Sequence, residues 1–132
     1  MTTAEIVNTF LARLDAGDID GIGELFAEEV DWYVPGEAHL PWAGPRSRRA
    51  EVSEFFHDLE SRFEPGKSDV TLEKVLVDGD DAVVLGTFHR TFVKTGQSFD
   101  NPEAMHLAVS DGKIVRMHLY EDTAMVRDAY VG

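Results

Sequence analysis

The period of the hydrophobic pattern changes part-way along the chain. In the first half, Ile6, Val7, Phe10, Leu11 and Leu14 form a one-sided helical stripe, and Thr2 with Glu5 supplies a capping box ahead of it. Gly17 predicts the end of that helix. Asp18 predicts the cap of a second one carrying Ile19, Ile22, Leu25 and Phe26, kept short by Gly21 and Gly23. Val30 to Val34 reads as a strand stopped by Pro35-Gly36, and a loop rich in Pro, Gly and aromatic residues fills 35–46. Ser47 is the expected cap of a helix whose inner face is Val52, Phe55, Phe56, Leu59 and Phe63, ended by Pro65-Gly66.

From Val70 onward alternation replaces the helical period. Strands are expected over Val70 to Val77, Ala82 to Val93, Ala104 to Val109 and Ile114 to Glu121. Turns fall at Asp78-Gly79-Asp80-Asp81, near Thr95-Gly96 and at Asp111-Gly112, and Ala124 to Tyr130 reads as a closing helix. No repeat or linker interrupts the chain, so 1–132 is read as one domain. Helices followed by a run of antiparallel strands is an α+β arrangement. If the sheet curls around the helices, its concave side encloses a cavity.

The last hairpin admits two registers. A two-residue turn at Asp111-Gly112 would pair His106 with Met117, whereas a three-residue loop with Gly112 in a left-handed bulge would pair Met105 with Met117. Met105, Leu107 and Val109 form one apolar series, and Val115, Met117 and Leu119 another. Only the bulged register puts both on one face, so that register is expected. His106, Arg116, His118 and Tyr120 then share the outer face, as solvent or subunit interface, and Glu121 ends the inner row as its lone carboxylate.

Composition narrows the function classes. The net charge of −13 repels polyanions, so nucleic acid and anionic membranes are not expected partners. The absence of cysteine removes disulfides, thiolate ligands and thiolate nucleophiles. No apolar run reaches membrane-spanning length and Met1 to Glu5 lacks the character of a signal peptide, so a cytoplasmic location is expected. No metal or cofactor site is expected.

Asp15-Ala16-Gly17-Asp18-Ile19, the Pro45-Arg46-Ser47 approach to Glu54-Phe55-Phe56, and Gly112-Lys113-Ile114-Val115 leading to Leu119-Tyr120 resemble the NTF2-like superfamily. The likeness is to its SnoaL-like and ketosteroid-isomerase-like branch and covers nearly the whole chain. It implies a cone-shaped, curved antiparallel sheet wrapped around the N-terminal helices, commonly dimeric, with a hydrophobic pocket. The isomerase chemistry does not carry over. The base position is Val34 here, the oxyanion donors are Phe10 and Met105, and the supporting tyrosines are Phe26 and Phe56. Leu119-Tyr120-Glu121-Asp122-Thr123 resembles the ending of many SnoaL-like proteins and of limonene-type epoxide hydrolases, where an aspartate at the position of Asp122 helps activate water.

The candidate chemistry is therefore carboxylate acid–base catalysis on a small apolar molecule, by isomerisation, cyclisation, dehydration or epoxide opening. Glu121 or Asp122 would be base or acid, assisted by Glu103 or by His39 on the loop at the pocket mouth. Phe10, Leu14, Trp32, Val34, Trp42, Phe55, Phe56, Leu59, Met105, Met117 and Leu119 are the expected substrate-binding wall. A homodimeric binding or structural protein without catalysis is the alternative.

Overall fold

A computed structural model describes residues 1–132. The helix α1 (Thr3–Ala16) begins with the expected capping box, Thr2 against Glu5, and ends at Gly17 in the left-handed region with φ 69°. Asp18 caps α2 (Ile19–Glu24), accepting from the Gly21 N–H. That helix stops sooner than its apolar residues suggested. Phe26 opens strand β1 (Phe26–Val34) and turns its ring into the core.

The segment 35–46 is not all loop, because Gly44–Arg48 forms β2 against β1. Ser47 lies in that strand and does not cap α3 (Arg49–Ser61). The cap residue is Arg48, which makes no side-chain capping bond, while the Ser47 N–H and hydroxyl both engage the Glu51 carboxylate.

The strands β3 (Asp69–Asp78), β4 (Asp81–Thr91), β5 (Ser98–Ser110) and β6 (Lys113–Glu121) follow, then α4 (Thr123–Val131). They form one six-stranded sheet in the order β2-β1-β6-β5-β4-β3. The sheet is curved and unclosed, with the helices against its concave face, which is the expected α+β cone. It is not wholly antiparallel, since β1 runs parallel to β6. The helix α3 and the rest of the sheet intervene between those two strands in the chain, which leaves room for a parallel crossover. Register shifts in β1, at Leu72/Lys74 in β3 and in the β5–β6 pairing bend the sheet.

The final hairpin follows neither register, and the expected Met105–Met117 pairing does not form. Its turn is the two-residue one, with Asp111 and Gly112 at φ 50° and 75° and Ser110 paired with Lys113. A bulge then comes at Val115, so Leu107 pairs with Met117, Met105 with Leu119 and His106 with His118. The apolar rows do share the inner face. Ile114, fully buried, takes the inward place expected for Val115.

Strand β5 begins six residues before the expected Ala104 and runs through Pro102. Pairing with β6 ends at Glu103–Glu121, so Pro102 has only β4 beside it and its missing N–H breaks no ladder bond to β6. At the far edge, β3 has β4 on one side only, and Leu72, Leu76 and Val77 are each about half exposed.

Candidate functional site

The inner row of β5, read backwards from Val109, is Leu107, Met105, Glu103, Asn101 and Phe99. That of β6 runs Met117, Leu119, Glu121. Strand alternation thus carries two carboxyls and an amide onto the concave wall, and the Glu103–Glu121 pairing sets the carboxyls opposite one another. Between this wall and helices α1, α3 and α4 lies a cavity of about 90 Å³. Nineteen residues line it, fifteen of them hydrophobic, and the four others are Glu60, Arg90, Glu103 and Glu121. All eleven of the expected wall residues border it, from Phe10 and Leu14 to Met117 and Leu119. Phe55 and Phe56 pack edge-on against Trp32, with ring centroids 4.9 and 5.7 Å away.

Asn101 organises the carboxyl pair. It is completely buried, and its Nδ2 donates to Glu121 Oε2 at 2.7 Å and to Glu103 Oε2 at 3.3 Å. Its Oδ1 accepts from the Asp122 backbone N–H at 3.3 Å. A backbone N–H can only donate, so this bond fixes which end of the amide faces the carboxyls.

The two carboxyls titrate apart. Burial, then the charge of Glu121, pushes Glu103 well above the ordinary glutamate range, with Arg90 pulling the other way. Burial raises Glu121 as well, by less, because the bonds from Asn101 and Glu103 oppose it. Glu103 therefore keeps its proton longest, and Glu121 is the carboxylate of the pair.

The other candidates stand elsewhere. Asp122 points away from the cavity and caps α4, its Oδ1 accepting from the Met125 N–H at 3.1 Å. His39 is exposed in the turn after Gly36 and does not border the cavity, because Leu40 takes the inward place, 2% exposed. The outer-face set is as expected, and it is tied together. His106 lies 2.8 Å from Asp81, Arg116 Nε donates to His106 Nδ1 at 3.1 Å, and both Arg116 and His118 reach Asp31. The His118 bond, with the positive charges of His118 and Arg116, holds Asp31 below the usual carboxylate range. No group of three or more His, Asp or Glu side chains is arranged to hold a metal ion.

Sequence reading missed Asn101, Arg90 and Glu60. The signal for Asn101 was present, since it continues the Met105–Glu103 alternation, but Pro102 masked the strand. Arg90 stays on the inner wall with its guanidinium over Phe88 and Phe63, 5.0 and 5.5 Å from the ring centroids.

Comparison with known proteins agrees with the fold. Residues 7–117 match the SnoaL-like domain. An uncharacterized protein of Mycobacterium tuberculosis is 29% identical over 121 residues, which are 91% of this chain and 89% of its own. Among solved structures, an NTF2-like protein of Burkholderia thailandensis superposes with TM-score 0.88 at 26% identity, covering 98% of each chain. TerC, co-crystallized with polyporic acid, superposes with TM-score 0.85 at 23% identity, again over 98% of each chain. With most of its length matched to that domain and its cone shared with those structures, the chain belongs to the SnoaL-like family of the NTF2-like fold.

Proposed function

We propose that this protein is a cofactor-independent acid–base enzyme acting on a small, mostly apolar organic molecule. The observation that carries the reading is the Glu103–Glu121 pair, held by one buried amide on the wall of an apolar cavity. Two carboxyls whose environments separate their protonation can divide the acid and base roles. Glu121, ionised, takes a proton from a carbon next to a carbonyl. Glu103, protonated, turns its single O–H from Glu121 to the oxygen on which charge develops and donates a hydrogen bond there. Returning the proton to a second carbon completes an isomerisation. Cyclisation, dehydration or epoxide opening would use the same two groups. Asn101 is a positioning residue here, and Asp122 serves through its backbone. The Phe and Met wall excludes water around the reacting atoms.

The ligand reported with TerC supports a small organic molecule as occupant of this fold. The outer face, with Tyr120 and Leu76 exposed beside the His106–Arg116–Asp31–His118 network, fits a homodimer. A pocket that binds without turnover is the second reading, favoured by the apolar groups Val34, Phe10 and Met105 at the positions where an isomerase keeps its machinery.

The test is proton exchange in deuterated water with a panel of small cyclic ketones and enones. Deuterium should enter the carbon beside the carbonyl with the wild type and not with Glu121→Gln. Binding without exchange across the panel, unaltered by Glu121→Gln, would establish the non-catalytic reading.

A further inference from the structure

Arg90 is the one cation on the cavity wall, and acid–base chemistry at Glu103–Glu121 gives it no part. The chain has 25 acidic residues against 12 basic ones, so carboxylate partners for an arginine are plentiful. Arg13, Arg49, Arg62, Arg116 and Arg127 each have one in ion-pair contact, and Arg90 has none. Burial works against its charge, and Glu103, Glu60 and Asp69 support it only from a distance.

Its fork of donors is half used. Nη1 donates to the backbone carbonyls of Asp69 and His89, at 3.3 and 3.0 Å. Those bonds hold the guanidinium over Phe88 and Phe63, two rings that themselves border the cavity. Nε and Nη2 make no hydrogen bond. Neither is sealed in the interior, because the buried side-chain donors without a partner are Trp32 Nε1 and Arg46 Nη1 alone. Nε–H and one N–H of Nη2 point in parallel along one edge of a guanidinium, an edge that matches the two oxygens of a carboxylate.

The position suits a ligand that also reaches the carboxyl pair. Arg90 pairs with Phe99 on β5, and Glu103 stands four residues further along that strand. At the rise of a β-strand the two rows are about 13 Å apart. Glu60, exposed in the last turn of α3, borders the cavity too, and brings the wall near Arg90 to the solvent rim.

We propose that Arg90 receives the carboxylate of an apolar acid, gripping it side-on through Nε and Nη2 while the ligand body lies along the Phe and Met wall. The grip sets which carbon stands beside Glu121, so Arg90 determines which ligands are placed for reaction. It rests on reading the cone as a ligand site, but it does not require catalysis.

The test compares cyclohexanecarboxylate with two neutral analogues, its primary amide and its methyl ester, by titration calorimetry. The Arg90 Nε–H resonance, identified by its loss in Arg90→Lys, is the local readout. The acid should bind about tenfold more tightly than the amide or the ester, move that resonance downfield and lose its advantage in high salt. Arg90→Met should abolish the preference and leave the affinity for the amide and the ester unchanged. Arg90→Lys, which keeps the charge but not the fork, should lose most of it and guards against misfolding of the methionine variant. Equal affinity of the wild type for acid and amide, or a preference that survives both substitutions, would overturn the grip and leave the cavity reading standing. An Nε–H that the bound acid does not move would do the same. Failure of all three molecules to bind would overturn both. A carboxylate preference without proton exchange would uphold the grip and overturn the catalytic reading alone.

Discussion

Glu103 shows how a single side chain can be placed at the expense of stability. Its folded-state pKa is raised by burial and by Glu121. Below the unfolded glutamate range both states are protonated and its contribution is fully favourable. As pH rises, the unfolded chain releases the proton first, and stability falls until the folded group also ionises. Glu103→Gln should therefore melt a few degrees higher than wild type at neutral pH, with the gap closing near pH 4, while proton exchange is lost. Thermal melts across that range check the sign, and a gap that widens in acid would refute it. Asn101→Leu should act differently. Removing the shared donor leaves both carboxyls buried without it and should destabilise by about 1–3 kcal/mol. It should also shift the pH profile of exchange upward, because Glu121 loses a bond that favours its charged form. Chemical denaturation and a pH–rate profile separate the two effects.

At the scale of elements, the turns were legible and the strand ends were not. Asp111-Gly112 and the Gly17 helix end follow from backbone freedom alone, which sequence displays directly. A Cβ at Gly112 would meet nothing within 4 Å, yet φ is 75°. Gly112→Ala should thus cost about 1 kcal/mol through the backbone only, with the cavity and its ligand affinity unchanged. Equilibrium unfolding and a binding titration test both halves. The bulge at Val115 was hidden because Ile114 and Val115 are equally apolar, and only packing decides which is buried. Pro102 argued against a strand interior, and nothing local announces that β6 has already ended beside it. Glu121 was legible as an inward carboxyl because it continues an alternating row, whereas Glu103 stands one residue before the expected start of its strand at Ala104. Asn101 lay beyond the proline and was lost with the strand. Asp122, expected as a base or acid, instead caps α4.

On the scale of the whole molecule, curvature and charge dominate. A net charge of −13 on one small domain means that added salt should stabilise it, by screening self-repulsion. If the outer face pairs with its copy, Tyr120→Arg should convert a dimer to a monomer in sedimentation while leaving proton exchange in the cone intact. A wild-type monomer at micromolar concentration would refute that interface.

The open edge of β3 has a further consequence. Its unpaired backbone and half-exposed Leu72, Leu76 and Val77 offer a template to any other extended chain. What opposes templating is the kink between Leu72 and Lys74, where Glu73 is the extra residue, and the charge of the molecule. The kink is built into the backbone, but the repulsion depends on ionised carboxylates. Acidification towards neutral net charge should therefore turn a well-behaved cone into fibril-forming material before the core itself unfolds, beginning at this strand and not at the cavity wall.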